Sequence, residues 1–184
     1  MAINFKSASK IELQAEYDRI AKEIGDDQFF TKKELHHLPE VLSDNEQVLA
    51  FTSGLMDNNT WLITLTNKRI IFLDKGMIYG LTQVSIDLDK INSVSGQTGL
   101  IFGKIMITDG ATHRIIENVW KKTVTAFTNK VQKAIEANKN QSNQAPSSSN
   151  NTFEQLEKLA AMKEKGILSA EEFDLAKKKI LAAS

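Results

Sequence analysis

Apolar side chains recur at helical spacing near the beginning of the chain. One stripe of a predicted helix carries Leu13, Tyr17, Ile20 and Ile24. Gly25 follows where a left-handed C-terminal cap would end this helix. A second short helix is predicted from Thr31, whose hydroxyl would form a capping box with Glu34. It should end before Pro39, because proline disfavours helical backbone at the preceding residue. We expect the whole segment, 1–44, to pack on the sheet that follows.

The hydrophobic period changes from about 3.6 to about 2 from Gln47 onward. Segments rich in β-branched and aromatic residues then alternate with polar turns. The predicted strands are Val48–Leu55, Thr60–Thr66, Arg69–Leu73, Ile78–Leu81, Val84–Leu88, Ser93–Gln97, Leu100–Thr108 and His113–Glu117. Asn67 and Lys68 are spaced for a two-residue hairpin turn, in which Asn67 would take a positive φ. A run of short strands without an intervening helix predicts an antiparallel sandwich or barrel.

A further helix is predicted directly after these strands. Asn118 would cap this helix, and the helix would end near Ala137. Its apolar stripe carries Trp120, Val124, Phe127, Val131 and Ala134. A barrel needs a plug at an open end, and we expect this stripe, with Trp120 included, to supply it.

Residues 138–151 have the composition of a linker. Asn, Gln, Ser and Lys dominate, and Ala145 is the apolar side chain that this segment could bury in a core. Such a segment cannot offset its ordering entropy by burial. It is predicted to be a flexible tether with an end-to-end distance of about 20 Å.

Residues 152–184 have the pattern of a two-helix hairpin. Gly166 would end the first helix, and Ser169 with Glu172 would form the capping box of the second. The expected apolar face comprises Leu156, Leu159, Ile167, Leu168, Phe173, Ile180 and Leu181. Two helices in about 30 residues bury little apolar surface alone. We therefore predict that another protein, another copy or the barrel covers this face; the alternative is an autonomous, marginally stable hairpin.

The composition narrows the classes of function. The chain has 184 residues, with 23 Lys plus Arg against 23 Asp plus Glu, and it has no Cys. A formal charge of zero argues against general nucleic-acid binding, which needs a basic surface. The lack of Cys excludes disulfides, thiolate nucleophiles and Cys-rich metal sites. No apolar stretch suits a signal peptide or a membrane span, so we expect a cytoplasmic protein.

No local pattern predicts catalysis, a metal site or a cofactor. The stretch Gly99–Lys104 is similar in composition to a phosphate-binding loop, but too few residues separate its glycines and Ile105 follows the lysine. His36 and His37 are adjacent and would point about 100° apart on a helix, so they cannot readily share an ion. We therefore predict that the protein is not an enzyme.

Two motifs resemble a known family of domains. Leu65–Phe72, with the sequence Leu-Thr-Asn-Lys-Arg-Ile-Ile-Phe, resembles the strand–turn–strand signature of bacterial pleckstrin-homology-like (PH-like) domains. Gly99–Lys104 and Ile116–Val119 resemble the YokE-like branch of that family. The resemblance covers residues 45–137. It implies a seven-stranded antiparallel β-barrel capped by a C-terminal helix, and it implies no catalytic activity.

The tail resembles a second family. Gly166–Phe173, in the pattern Gly-Ile-Leu-Ser-x-Glu-Glu-Phe, is similar to the short C-terminal (SHOCT) domain found at the ends of unrelated prokaryotic proteins. That resemblance implies a role in self-association or docking. The expected α+β chain therefore comprises a helical segment (1–44), a PH-like domain (45–137), a disordered linker (138–151) and a SHOCT-like hairpin (152–184).

An anionic ligand is considered because many PH domains bind phosphoinositides through a basic loop between their first two strands. Here that loop is Met56–Asn59, which has no basic residue. A possible anionic-ligand patch elsewhere comprises Lys68, Arg69, Lys104 and Arg114. Each basic group near an anionic surface contributes about 1 kcal/mol, so this patch would give weak, salt-sensitive attachment.

The sequence favours a non-enzymatic interaction or adaptor protein of bacterial or phage origin. Its barrel would bind a protein or peptide partner, and its hairpin would mediate homo-oligomerisation or docking. The alternative is a peripheral membrane sensor whose barrel binds anionic lipid. Neither function needs a cofactor, a metal or nucleic acid.

Overall fold

The helices and strands follow one another in two units of the chain, Met1–Asn140 and Gln141–Ser184. The computed structural model describes residues 3–26, 31–76, 80–110, 112–144, 156–163 and 169–182. The helices are α1 (Lys10–Ile24), α2 (Lys32–Val41), α3 (Lys121–Gln144), α4 (156–163) and α5 (Ala170–Ala182). The strands are β1 (Val48–Met56), β2 (Asn59–Thr66), β3 (Arg69–Asp74), β4 (Thr82–Asp87), β5 (Ile91–Thr98), β6 (Phe102–Asp109) and β7 (Thr112–Trp120). Residues 78 and 79 of the predicted strand Ile78–Leu81 lie outside the described residues. Gly80 and Leu81 are described and belong to no strand, so the prediction was wrong for them, and β4 begins at Thr82.

The strands form one antiparallel sheet in the order β4-β3-β2-β1-β7-β6-β5. The edge strands, β4 and β5, are consecutive in the chain and are joined by a short 3₁₀ turn, Leu88–Lys90. The sheet must therefore curl to bring its two edges together at this turn, as the sheet of a barrel does. The predicted α+β architecture is confirmed, with seven antiparallel strands, helices before them and a helix after them.

Strands β1, β2 and β3 are buried on both faces. On the outer face, the ring of Phe51 meets Tyr17 of α1 edge-on, with 6.1 Å between centroids. On the inner face, Ile63 lies opposite Phe72 in the β2–β3 ladder. A Cβ at Gly54 would come within 2.3 Å of the Ile116 side chain, so β1 and β7 approach closely at this point. These strands are nearly continuous apolar runs because the N-terminal segment covers the face that solvent would otherwise reach.

Side chains form hydrogen bonds with backbone groups of β1 that its neighbouring strands leave unpaired. In the described residues, β1 pairs with β2 along its length but with β7 only at Leu55. The backbone N–H of Ser53 donates to Asp26 Oδ2 at 3.1 Å. The carbonyl of Leu49 accepts from Lys130 Nζ of α3 at 3.1 Å. The segment after α1 and the helix α3 therefore satisfy backbone groups of β1 that β7 leaves open.

The end of α1 is tied to α3 as well. Gly25 ends α1 in the left-handed conformation with φ 79°, which confirms the predicted cap. The carbonyl of Gly25 accepts from Thr123 Oγ1 at 3.0 Å. Glu23 forms an ion pair with Lys130 at 2.6 Å. The N-terminal helical segment is therefore built into the same unit as the sheet.

The predicted start of α2 is confirmed, since Thr31 is its N-cap, but the predicted capping box and the predicted end before Pro39 were wrong. Thr31 forms no side-chain cap; its Oγ1 lies 2.5 Å from the hydroxyl of Ser53 instead. Glu34 Oε1 accepts the backbone N–H of Lys75 at 3.0 Å rather than reaching back to Thr31. Partners on the sheet have replaced the local capping box. The helix also continues through Pro39 to its end at Val41.

Helix α3 packs its apolar stripe against the sheet. Its buried residues include Val124, Phe127, Val131 and Ala134, which confirms that part of the predicted stripe. Gly96 permits the close approach, because a Cβ there would lie 2.6 Å from Val124 Cγ1. The helix extends to Gln144, so residues 138–144 of the predicted linker are helical. The remainder of that linker, 145–151, lies outside the described residues.

The hairpin turns use different backbone solutions. Asp57 and Asn58, between β1 and β2, adopt positive φ values of 52° and 62°. Asn67 does not, so the prediction of a positive φ there was wrong. Instead, Thr66 Oγ1 accepts the backbone N–H of Arg69 at 3.0 Å. The side chain of Thr66 thus satisfies this turn without a left-handed residue.

Candidate functional site

The outer face of β6 and β7 and the β5–β6 hairpin carry large apolar side chains that solvent reaches. These exposed residues are Leu100, Ile101, Phe102, Met106 and Ile115. Leu100, which is 89% exposed, lies in the loop between β5 and β6. Met106 lies opposite Ile115 in the β6–β7 ladder. Exposed apolar patches on a soluble domain mark interaction surfaces.

A β-bulge near the end of β7 sets the direction of Trp120. Gly103 lies opposite Val119, whereas Ile105 lies opposite Ile116, so β7 has one more residue than β6 between these pairs. Asn118 takes up the extra residue with a left-handed φ of 54°. Ile116 and Val119 consequently both point inward and are fully buried. The alternation has shifted by one residue, and Trp120 points outward.

The predicted role of Trp120 as a barrel plug was therefore wrong. Trp120 is the last residue of β7, Asn118 lies inside that strand, and α3 begins at Lys121. Trp120 is partly buried against Phe102, with ring centroids 4.6 Å apart and planes inclined by 35°. The carbonyl of Ile101 accepts the N–H of Lys121 at 3.0 Å. This bond fixes the β5–β6 hairpin against the start of α3, so the two rings are held together.

An apolar cleft lies beside this ring pair, between β1 and β7. We call it the aromatic cleft, and its walls include Ser53, Leu55, Thr60, Phe102, Asn118 and Trp120. Its volume is about 270 Å³. The cleft lies near Leu55, the point at which β1 meets β7 in the described residues.

A second depression adjoins the aromatic cleft and shares Phe102 and Asn118 with it. This polar depression has a volume of about 320 Å³ and is also lined by Gln97, Lys104 and Glu117. The glycines of the Gly99–Lys104 stretch serve packing here. A Cβ at Gly103 would lie 2.3 Å from the carbonyl oxygen of Gln97 in the facing strand. The stretch is a tight hairpin rather than a phosphate-binding loop.

Arg69, one of the four residues predicted for an anionic patch, is engaged by a carboxylate inside the fold. Its Nε and Nη2 donate to the two oxygens of Glu46, each at 2.9 Å. Glu46 also accepts from Thr66 Oγ1 at 2.8 Å and from the N–H of Ser43 at 2.7 Å. The side chain of Glu46 is fully buried, and that of Arg69 is 17% exposed. The charge of Arg69 is thus balanced by the carboxylate of Glu46 within the fold.

The hydrogen bonds decide the ionisation of Glu46. Burial alone would raise the pKa of its carboxyl, but donors from Arg69, Ser43 and Thr66 outweigh burial and hold the pKa below its usual range. Glu46 is therefore ionised at neutral pH and pairs with Arg69. The pair joins the connection after α2 to the β2–β3 turn.

The other residues of the predicted anionic patch lie in separate settings. Arg114 forms an ion pair with Asp109, and its guanidinium carbon lies 5.9 Å from the ring centroid of Phe72. Lys68 donates to the carbonyl of Asp44 at 3.1 Å. Lys104 is exposed beside the polar depression. Among the four cations, the two arginines are held by carboxylates of their own unit.

The C-terminal unit contains the predicted hairpin helices. Ser169 caps α5, and the predicted capping box is confirmed: the N–H of Ser169 donates to Glu172 Oε2 at 2.9 Å and the N–H of Glu172 to Ser169 Oγ at 3.3 Å. Lys163 Nζ of α4 lies 4.6 Å from the ring centroid of Phe173 of α5. This cation–π contact connects the two helices.

The predicted apolar face of this unit is partly described. Leu156, Leu159 and Phe173 are half-buried. Leu175, absent from the predicted face, is 64% exposed, and Met162 is 46% exposed. Ile167 and Leu168 lie outside the described residues, as do the side chains of Ile180 and Leu181. Large apolar side chains of this unit are therefore open to solvent.

In the part of the chain that the structure describes, no group of three or more His, Asp or Glu side chains could hold a metal ion. No described helix is long and apolar enough to cross a bilayer.

Comparison with families of known proteins decides the classification. The family model of the bacterial PH domain matches residues 42–133, which is half of the chain. The chain belongs to the bacterial PH domain family. The model of the short C-terminal (SHOCT) domain matches residues 154–181. Both resemblances drawn from the sequence are confirmed. Bacterial PH domains and SHOCT domains are generally non-catalytic.

Solved structures similar to this bacterial PH domain protein include two from Shewanella. The pleckstrin homology domain from Shewanella amazonensis SB2B is 18% identical, with a TM-score of 0.42, and the match covers 56% of this chain and 96% of that one. A DUF1696 family protein with a pleckstrin-homology domain from Shewanella loihica PV-4 is 20% identical, with a TM-score of 0.38, covering 57% and 92%. The search of curated proteins found no match.

Two residues of this bacterial PH domain escaped sequence reasoning. Glu46 binds Arg69 across 23 positions of sequence, and Asp26 binds Thr52 and Ser53 from a segment before the family match. A carboxylate in a polar stretch gives no sign of a distant partner. For Glu46 the available sequence signal was its position, since this acidic residue lies two positions before Val48, the first residue of an apolar strand.

Proposed function

We propose that this protein is a non-enzymatic adaptor. The PH domain binds a protein or peptide partner through the β5–β7 side, and the SHOCT hairpin brings copies of the chain together. The observation that carries the proposal is the outward direction of Trp120. A fold that needed this large ring for its core would not place a bulge before it to turn it away from the core.

The distribution of exposure supports the same side of the domain. The outer face of β1 to β3 is covered by its own N-terminal segment, as the contact between Phe51 and Tyr17 illustrates. Met106 and Ile115 remain exposed on β6 and β7, the strands that also carry Phe102 and Trp120. Aromatic residues and Met are enriched in protein interfaces. This face is therefore the favoured position for a partner.

The SHOCT hairpin supports assembly by a separate argument. The described parts of its helices are short, and Leu175 and Met162 remain exposed in them. Helices of this size gain stability mainly from packing an apolar face against something else. Another copy of the hairpin supplies such a face. Assembly would then raise the avidity of weak barrel contacts without new contacts.

Light scattering after size exclusion tests the assembly. The full chain should have a molar mass above the 20.6 kDa of one copy, rising with concentration. A chain ending at Gln144, which keeps α3 whole, should be monomeric. Leu175→Asp should also reduce the mass, whereas Ile11→Asp should not, because Ile11 is an exposed apolar residue of α1. A monomeric full chain at all concentrations contradicts assembly by the hairpin.

Attachment to an anionic membrane is the second candidate. The observation in its favour is the β5–β6 loop, where Leu100 and Ile101 are exposed and Lys104 and Lys121 are exposed nearby. Apolar side chains beside lysines are typical of interfacial anchors. Flotation with phosphatidylglycerol vesicles at low and high salt tests it. Recovery of the protein with vesicles at low salt, lost in Leu100→Asp, supports this candidate; no recovery at low salt eliminates it.

A further inference from the structure

We infer that the aromatic cleft receives one large apolar side chain of a peptide partner, and that a polar residue next to this anchor enters the polar depression. The inference rests on the proposed function, because it names the chemistry of the partner that the barrel binds. Three features support this inference: the size of the cleft, the residues of its walls and the polar depression beside it.

The size of the cleft suits a single side chain. Its volume of about 270 Å³ falls below the range of about 300–1,000 Å³ that is usual for sites of small molecules and cofactors. Interfaces between proteins are dominated by a few anchor residues that fill pockets of this kind. The cleft by itself is therefore of a size that one anchor side chain can fill.

The walls of the cleft select an apolar anchor. Trp120 and Phe102 form one wall, and Leu55 contributes from β1. An aromatic or branched aliphatic side chain entering here would contact ring faces and edges, which are the most effective apolar surfaces in interfaces. Thr60 and Asn118 also border the cleft, and their polar atoms suit the backbone of the peptide that carries the anchor.

The cleft is prepared before binding. The β5–β6 hairpin is closed by a hydrogen bond from Gly99 N–H to the carbonyl of Phe102 at 2.8 Å, and Lys121 N–H holds the carbonyl of Ile101. The ring of Trp120 is aligned against Phe102 by the bulge at Asn118. Preorganised walls lower the entropy cost of binding, so an anchor can gain affinity from a small contact area.

The polar depression defines the residue next to the anchor. It shares the Phe102 and Asn118 wall with the cleft and presents one cation, Lys104, and one carboxylate, Glu117. A polar side chain would find partners of either sign there. A lipid bilayer does not match this arrangement, because a membrane accepts protruding side chains whereas this site is a recess that accepts one.

The test uses nitrogen-15 NMR of the full chain with three probes: N-acetyl-L-tryptophan amide, N-acetyl-L-leucine amide and N-acetylglycine amide. The two apolar probes should shift the indole N–H of Trp120 and the side-chain amide of Asn118 in a saturable manner. The glycine probe, which has the same backbone and no anchor, should not. Equal shifts with all three probes, or none with any, overturn the inference.

A cleft-filling variant makes the test specific. Thr60→Phe places a ring in the cleft. It should lower the binding affinity of the apolar probes by about 30-fold, the loss typical of a hot-spot contact. Thr82→Phe is the matched control, since Thr82 is an exposed strand residue of β4 and does not line the cleft. Both variants should keep the spectrum of the folded domain. Unchanged probe affinity in Thr60→Phe overturns the inference.

The outcome is separable from that of the proposed function. Assembly by the SHOCT hairpin is read by light scattering, which the probes do not affect. Saturable probe binding by a monomeric chain supports the binding role of the cleft and refutes assembly by the hairpin. Assembly without probe binding supports assembly by the hairpin and refutes the binding role of the cleft. Vesicle binding lost in Leu100→Asp but unchanged in Thr60→Phe, with no response to the probes, assigns this face to a membrane and overturns the inference.

Discussion

Replacing Trp120 with alanine separates a surface role from a core role for this ring. The ring is partly exposed and packs on Phe102 with 4.6 Å between centroids. An aromatic pair of this kind contributes about 0.5–1.5 kcal/mol beyond its buried area. Adding a modest loss of burial for a ring that already meets solvent, we expect Trp120→Ala to lower the free energy of unfolding by about 1–2 kcal/mol.

Phe127→Ala provides the comparison in the core. Phe127 lies on the stripe of α3 and is fully buried, so its loss should cost about 3–5 kcal/mol. Phe102→Ala and the double variant with Trp120→Ala should give a coupling energy of about 0.5–1.5 kcal/mol for the ring pair.

Urea unfolding followed by far-ultraviolet circular dichroism measures these differences, because it does not depend on the tryptophan that is removed. The slope of free energy against urea should stay constant among the variants. The reasoning is refuted if Trp120→Ala destabilises the domain as much as Phe127→Ala does. That result would return Trp120 to the interior of the barrel and remove the aromatic cleft as a binding site.

Three further variants test the contacts that hold the site in place, and urea unfolding measures each. Glu46→Gln leaves the guanidinium of Arg69 mostly buried without its carboxylate, so it should cost about 3 kcal/mol at pH 7. Because the folded pKa of Glu46 is lowered, the stabilisation is complete above the unfolded pKa of about 4.3 and is lost as the pH falls through the folded value. Asp26→Ala removes the acceptor of the Ser53 N–H and should cost about 2–4 kcal/mol. Asn118→Val forces a β-branched residue into a left-handed φ of 54° and should cost about 1–3 kcal/mol, whereas Asn118→Gly should be nearly neutral.

Each of these variants has an outcome that contradicts the account. A Glu46→Gln variant whose deficit stays constant from pH 7 to pH 3 would show that ionisation of Glu46 is not the source of the stabilisation. An Asp26→Ala variant as stable as the wild type would mean that the hydrogen bonds from β1 to Asp26 do not contribute to the stability of the PH domain. Equal stability of Asn118→Val and Asn118→Gly would contradict the left-handed conformation of residue 118 at the bulge.

The periodicity of the sequence was sufficient for the architecture. The apolar, β-branched runs of β1 to β3 and the stripe of Val124, Phe127 and Val131 both reflect burial that is continuous along an element. The Ser169–Glu172 box was also readable, because its partners are three residues apart and exposed, with no competing contact. Local signals succeed where the local partner is the one that the fold retains.

The candidate site could not be read in the same way. One extra residue, Asn118, reverses the face of Trp120, and alternation along a single strand gives no notice of an insertion relative to its neighbour. The Thr31–Glu34 box failed for the complementary reason: Ser53 and the backbone of Lys75 offered tertiary partners that sequence spacing does not reveal. Both errors arise from contacts between elements.

The fluorescence of Trp120 alone tests the central claim most directly. The chain has two tryptophans, and Trp61 is 7% exposed with its Nε1 donating to the carbonyl of Met56. A Trp61→Phe variant therefore reports on Trp120. We predict a red-shifted emission that acrylamide quenches readily and that N-acetyl-L-leucine amide protects. A blue-shifted emission that acrylamide does not reach would place Trp120 inside the barrel and contradict the account.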